Sequence, residues 1–277
     1  MHSFTLDVPF QLDLSVSCGQ SFRWRKINGF WYAPVGDSIW KLRQSGNTLY
    51  YEGVSETDLT HYLALDVPLE KILSSVDTNN LIHSAILSCR GLRILRQPPF
   101  ECLISYICAT CANIPSIRLR VETLSRTYGT ELEKDGLLFY TFPTPSSLEN
   151  AEDLRCCKVG YRDTYIRSAV AYVQSHPSWI SHLQSHSYKE AQKELMTILG
   201  VGPKVADCVL LFAFEKYESV PIDVWIGRIF RTLYFHSEKK LPYNTASDFA
   251  REHFGSYAGY AQEYLFAERE ILSKKGE

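Results

Sequence analysis

The 277-residue chain is 45% hydrophobic and 22% charged, the balance of a globular protein that can bury a substantial core. Its formal net charge of −2 and a pI of about 6.5 exclude a global basic field, so a polyanionic partner must be met by a local surface. No apolar run reaches spanning length, and the amino-terminal MHSFTLDVPFQLDL lacks the apolar stretch of a signal peptide, which predicts an intracellular protein.

From Phe4 to Val16 every even position is apolar (Phe4, Leu6, Val8, Phe10, Leu12, Leu14, Val16), the period of two that predicts β structure. Turn signals at Asn28-Gly29, Gly36-Asp37 and Ser45-Gly46-Asn47 then separate runs rich in aromatic and branched residues. That pattern predicts an antiparallel meander. Arg23, Arg25 and Lys26 form one short basic cluster and Arg90, Arg93 and Arg96 another; each reads as solvated surface. Periodic segments from about Thr57 to Leu87 predict helices that cover one face of the sheet.

After Pro98-Pro99 the pattern turns helical for the rest of the chain. Helices are predicted over 100–112, 115–128, 146–154, 161–174, 188–199, 203–216, 223–234, 244–254 and 257–273. The change of period places a domain boundary near residue 90, giving a sheet domain over 1–90 and a helical domain over 91–277. The expected fold class is α+β, an antiparallel sheet packed on a helical domain.

Eight cysteines without a secretory signal read as intracellular thiols. Cys108 and Cys111 form a lone C-x-x-C with no second pair, too few ligands for a zinc site. No cysteine follows Cys208, which excludes a carboxy-terminal four-cysteine iron–sulfur cluster. Neither a metal nor a cofactor is expected, although a monovalent cation on backbone carbonyls is compatible with the sequence.

The segment 188–216 carries the sharpest local signals. Ser187-Tyr188-Lys189-Glu190 is a capping box, and Ala191, Leu195, Ile198 and Leu199 recur on one helical face. Gly200-Val201-Gly202 makes a tight turn, and Pro203 opens the next helix, where its missing N–H costs nothing. Such a helix–hairpin–helix exposes backbone amides that suit a phosphate, with Gly200 and Gly202 as the candidate contacts. Lys204 follows at the first helical turn, where the macrodipole disfavours an ammonium and favours the neutral, nucleophilic amine. The alternatives are a surface lysine that simply hydrates its charge, or an ordinary helical ion pair with Asp207. Asp223, in Val220-Pro221-Ile222-Asp223-Val224-Trp225, reads as an N-cap. A carboxylate accepting helix amides is expected to keep a low pKa and a fixed position, which suits a developing cation.

These residues resemble a family. L-x-x-L-G-V-G-P-K-V-A-D-C followed by V-P-I-D-V-W is similar to the helix–hairpin–helix DNA glycosylases, and within them to the 8-oxoguanine DNA glycosylases. The resemblance extends along the chain, through Cys18-Gly19-Gln20-Ser21-Phe22-Arg23-Trp24, Phe100 to Cys108, Gly160-Tyr161-Arg162 and Ala261-Gln262 to Phe266. It implies that Lys204 attacks the anomeric carbon, expels the base and forms a Schiff base that also supports β-elimination, while Asp223 stabilises the sugar cation. It further implies that the Gly19 carbonyl accepts the ring N–H peculiar to oxidised guanine. Cys208 and Phe266 would sandwich the flipped base, and Gln262 would read its Watson–Crick edge. The implied partner is double-stranded DNA containing oxidised guanine, met by a monomer with no membrane involvement, in a prokaryotic cytoplasm or a nucleus.

One segment departs from the family pattern. Where better-known eukaryotic members carry N-N-N-I-A-R, this chain has Cys111-Ala112-Asn113-Ile114-Pro115-Ser116. Asn113, Tyr161 and Arg162 remain as candidate DNA contacts, with Arg162 left to make a charge-assisted contact to the base opposite the lesion. Excision is expected to survive this change and discrimination of the opposite base to weaken.

Overall fold

The computed structural model describes residues 1–274. Five strands, β1 (His2–Thr5), β2 (Arg25–Ile27), β3 (Phe30–Val35), β4 (Ser38–Ser45) and β5 (Thr48–Glu52), form one antiparallel sheet in the order β1-β5-β4-β3-β2. The predicted turns make the three tight connections, since Ile27 pairs Phe30, Val35 pairs Ser38 and Ser45 pairs Thr48. At the first, Asn28 (φ 49°) and Gly29 (φ 80°) supply the left-handed pair that a two-residue hairpin needs. Alternate residues Trp31, Ala33, Trp40, Leu42, Leu49 and Tyr51 bury one face against Leu12, Val16, Leu59 and Leu63.

The period-two run from Phe4 to Val16 is strand only over His2–Thr5; Leu12–Ser17 is a helix. Pro9 cannot donate to the ladder, and beyond it Leu12, Ser15 and Val16 bury one helical face. The cover predicted over 57–87 also divides. Glu56–Tyr62 closes on the sheet, whereas Leu69–Val76 and Asn80–Ser88 join the helical core that holds Leu103, Val205 and Leu265.

The remainder is helical; the helices predicted over 146–154, 223–234 and 257–273 are each divided, ending first at Glu149, Ile229 and Ala267, and two elements were not predicted. Strands β6 (Glu131–Lys134) and β7 (Leu137–Tyr140) form a hairpin, and Trp179–Ser185 is a further helix. The missed signal is Asp135-Gly136 between alternating residues, a hairpin dipeptide. This hairpin reaches back to the other face of the first sheet, where Phe139 stacks on Tyr32 at 5.9 Å and Asp135 pairs with Lys41 at 2.6 Å.

Two of the supposed surface arginines are buried. Arg93 is 0% exposed and donates to the carbonyls of Pro9, Ala64 and Val67. Arg23 pairs with Glu101 at 3.0 Å and also donates to the carbonyls of Pro34 and Tyr140. A guanidinium has five donors, so it can gather carbonyls that no secondary structure satisfies.

Candidate active site

The hairpin forms as its sequence requires. Ser187 and Glu190 complete the capping box of Tyr188–Leu195, and Leu195, Ile198 and Val201 are buried beneath the turn. Gly200 has φ 86°, and a Cβ there would stand 2.1 Å from the Tyr165 ring, so no other residue fits. Gly202 caps Pro203–Phe214 and faces open space. Among the described residues, the Gly200 and Gly202 amides have no hydrogen-bond acceptor, which leaves them available beside the positive end of the helix.

Lys204 is half-buried at the first turn of that helix. Its ammonium lies 5.3 Å from the Tyr106 ring centroid and forms no ion pair among the described residues. The helical partner is otherwise engaged: Asp207 accepts from Tyr188 at 2.8 Å, Gln192 at 2.6 Å and Tyr243. Lys204 instead acts on the two groups that face it. Its charge draws down the pKa of Cys208 and of Asp223, in each case against a larger effect of burial.

Asp223 is the N-cap of Val224–Ile229, accepting the Ile226 amide at 2.8 Å. Its pKa is nevertheless raised, contrary to the sequence expectation. Burial outweighs the helix amides, Lys204 and Arg269, all of which favour the anion. One turn beyond Lys204, the Cys208 thiol is buried and pushed up to about 12, so it presents a neutral surface.

The opposite wall is the Gly19 loop. Gln20 fixes it: its side chain donates to the carbonyls of Ser15 and Arg93 and accepts the Leu95 amide, each at 2.8 Å. Gly19 itself has φ 115°, and a Cβ would stand 3.1 Å from Ile114 Cδ1 and 3.3 Å from Phe266 Cε1. Phe266 therefore lies against Gly19, with the Arg269 guanidinium 4.2 Å from its ring centroid. Gln262 is 3% exposed, and its Oε1 is buried without a partner among the described residues. A buried amide oxygen left without a partner is a ready hydrogen-bond acceptor for a ligand.

Two residues of this region were not singled out from the sequence. Tyr106 links the walls, donating to the Gln20 carbonyl at 2.9 Å while its ring faces Lys204 and stacks on Phe212. Glu263, 3% exposed, is raised to about 7, with burial the largest cause. Its signal was a carboxylate among the largely apolar residues of Ala258–Ala267.

The expected DNA contacts at the rim differ among themselves. Asn113 is exposed and caps Ile114–Tyr128 through the Ser116 amide at 3.0 Å. Tyr161 is 54% exposed. Arg162 is 4% exposed, directed at the carbonyls of Thr110 and Val159, with its guanidinium 4.4 Å from the Tyr161 ring centroid. It therefore ties down the 110–113 loop instead of standing free to meet a base. Cys111, at φ 48°, is exposed in that same loop.

Comparison with known proteins identifies the family of the chain. The profile of the 8-oxoguanine DNA glycosylase N-terminal domain matches residues 4–103. A probable N-glycosylase/DNA lyase of Methanothermobacter thermautotrophicus is 34% identical over 73% of this chain and 70% of its own. The N-glycosylase/DNA lyase OGG1 of Arabidopsis thaliana is 31% identical over 92% of this chain and 76% of its own. This chain belongs to the 8-oxoguanine DNA glycosylase family. The family fold is matched nearly end to end by the Clostridium acetobutylicum 8-oxoguanine glycosylase/lyase, solved with duplex DNA carrying cytosine opposite 8-oxoguanine. That structure covers 98% of each chain with a TM-score of 0.89 at 29% identity. Among the described residues of this family member, no helix is long and apolar enough to cross a membrane.

Proposed function

We propose that this protein excises 8-oxoguanine from duplex DNA with Lys204 as the nucleophile, and cleaves the resulting abasic strand as a lyase. The observation that carries the reading is Lys204 itself, held at a helix start without an ion pair among the described residues, its charge acting on the half-buried cap Asp223. Its amine attacks the anomeric carbon, the glycosidic bond breaks, and the base leaves with the electron pair. Transfer of an amine proton to the ring oxygen as the sugar opens gives the Schiff base and a free hydroxyl. That cation acidifies the adjacent sugar carbon, whose proton is removed as the 3′ phosphate departs by β-elimination. Asp223 stabilises the positive sugar in the first step.

Gly19 supplies the selective contact through its carbonyl, Cys208 and Phe266 line the base pocket, and Gln262 offers its unpartnered Oε1 to the base edge. The Gly200 and Gly202 amides grip a phosphate, and Asn113, Tyr161 and Arg162 shape the rim against the DNA. The packing does not divide at the expected boundary near residue 90: Leu69–Ser88 joins the helical core and the Glu131–Tyr140 hairpin packs on the sheet, so the site is assigned to the seam between the Gly19 loop and that core. Its substrate locates the enzyme with DNA, in a prokaryotic cytoplasm or a nucleus. Borohydride trapping on an 8-oxoguanine duplex tests the reading. A covalent adduct through Lys204 is expected; base release without an adduct would mean that water, not Lys204, attacks.

A further inference from the structure

Two residues of one helix meet the Cys18-Gly19 segment, Phe266 at Gly19 and Glu263 at Cys18. Along Ala258–Ala267, Glu263 and Phe266 are three positions apart and share a face. Phe266 closes on Gly19, while the Cys18 thiol lies 3.8 Å from Glu263 Oε2 and 3.7 Å from the Ser15 carbonyl, two acceptors that share its single proton. From the other side, Gln20 Nε2 donates to the same sulfur at 3.4 Å. The residue before Gly19 is thus held between a carboxyl of the last core helix and the amide that anchors the loop. A carboxyl buried this deeply is costly to keep, and the position it fixes is the one that sets the Gly19 carbonyl.

We propose that Glu263 is a positioning residue for lesion specificity: through Cys18 it holds the Gly19 carbonyl where the ring N–H of the oxidised base must arrive. This rests on the reading of Gly19 given above. The groups facing the carboxyl fix how it responds to pH. Asp223 adds to the effect of burial, and Cys18 and Arg269 oppose it, leaving the group at about 7. Tyr106 and Cys208 face it as neutral groups whose own values its charge pushes up. The anion is the stronger acceptor for a thiol, so the grip on Cys18 tightens as pH rises through neutrality.

Single-turnover excision of 8-oxoguanine, read beside borohydride trapping on a duplex with a preformed abasic site, tests this. The abasic substrate has no base for Gly19 to hold. Glu263→Ala is expected to slow excision and to weaken preference over guanine by about 10- to 100-fold, as for one lost hydrogen bond to a charged group. Trapping on the abasic duplex should be unchanged. Glu263→Gln keeps the shape and one acceptor, so it should restore most of the rate and flatten the rise in excision across neutral pH. Wild-type excision by Glu263→Ala overturns the proposal, as does equal loss of excision and trapping. If the alanine variant does not fold, the glutamine variant decides, and a wild-type pH profile then overturns the proposal. Gly19→Ala separates the two readings. If it keeps full preference for 8-oxoguanine, the Gly19 reading fails and the proposal with it. If it loses that preference while Glu263→Ala retains it, only the role of Glu263 fails.

Discussion

The floor of the cleft and its rim are built on opposite principles. On the floor, among the described residues, the proposed groups keep unused chemistry: Lys204 without an ion pair, Asp223 as a cap, Gln262 with an orphaned oxygen. At the rim, the one arginine expected to face DNA has its donors turned inward to Thr110 and Val159. A pre-organised floor suits chemistry on the damaged base, and a rim whose cation is already engaged has little left with which to read its partner.

The largest test of that contrast is Lys204→Gln. It should abolish both base removal and borohydride trapping while duplex binding, measured by fluorescence anisotropy, survives on the hairpin amides. Excision at near the wild-type rate would remove Lys204 from the mechanism.

Asp223→Asn should lower the single-turnover rate by on the order of 10²-fold or more. The amide oxygen still accepts the Ile226 N–H, so the melting temperature should hold. The raised pKa of Asp223 has a direction in the pH profile. Protonation removes the stabilising charge, so excision should fall on acidification at a pH above the ordinary carboxylate range, and this limb should vanish in Asp223→Asn. A profile flat down to that ordinary range would show Asp223 to be a cap alone.

Gly19→Ala is the next in size. With φ 115° and two side chains closer than ordinary contact, the added methyl must displace the loop. Preference for 8-oxoguanine over guanine should weaken by about 1–3 kcal/mol, with undamaged-duplex affinity intact. Parallel loss of both would mark a folding role.

Two smaller effects probe the rim. Arg162→Ala frees the Thr110 and Val159 carbonyls and should cost about 1–3 kcal/mol of stability by chemical denaturation, leaving relative rates on different opposite bases unchanged. In the unmodified enzyme, excision opposite adenine, guanine or thymine should lie within about tenfold of excision opposite cytosine, because Ser116 is too short to span the gap to that base and Cys111 is a weak hydrogen-bonding group. Rates on the four duplexes decide it, and a cytosine preference of about a hundredfold or more would reveal contacts that this rim does not display.

Much of the floor was legible in the sequence because it is encoded locally. A capping box, a glycine turn, a proline at the first helical position and an aspartate before an amphipathic run each specify their own few residues of backbone. The three hairpin turns of the sheet were legible for the same reason, and the quoted motifs carried the family. Where local reading failed, a local signal was ambiguous. Apolar alternation over residues 12–16 also fits one helical face, and only the neighbours that bury Leu12 and Val16 choose between them.

The tertiary structure alone decided what depends on groups far apart in the chain. Arg23, Arg93 and Arg162 look like surface charges in sequence and are buried, because backbone carbonyls from distant segments converge on them. Asp223 titrates upward where its cap position suggested the reverse, since burial depends on the elements packed around it. The contact of Cys18 with Glu263 joins residues 245 positions apart. Local sequence fixes backbone form and supplies the reacting groups; desolvation and charge pairing, which set their protonation and reach, exist only once the chain has closed around them.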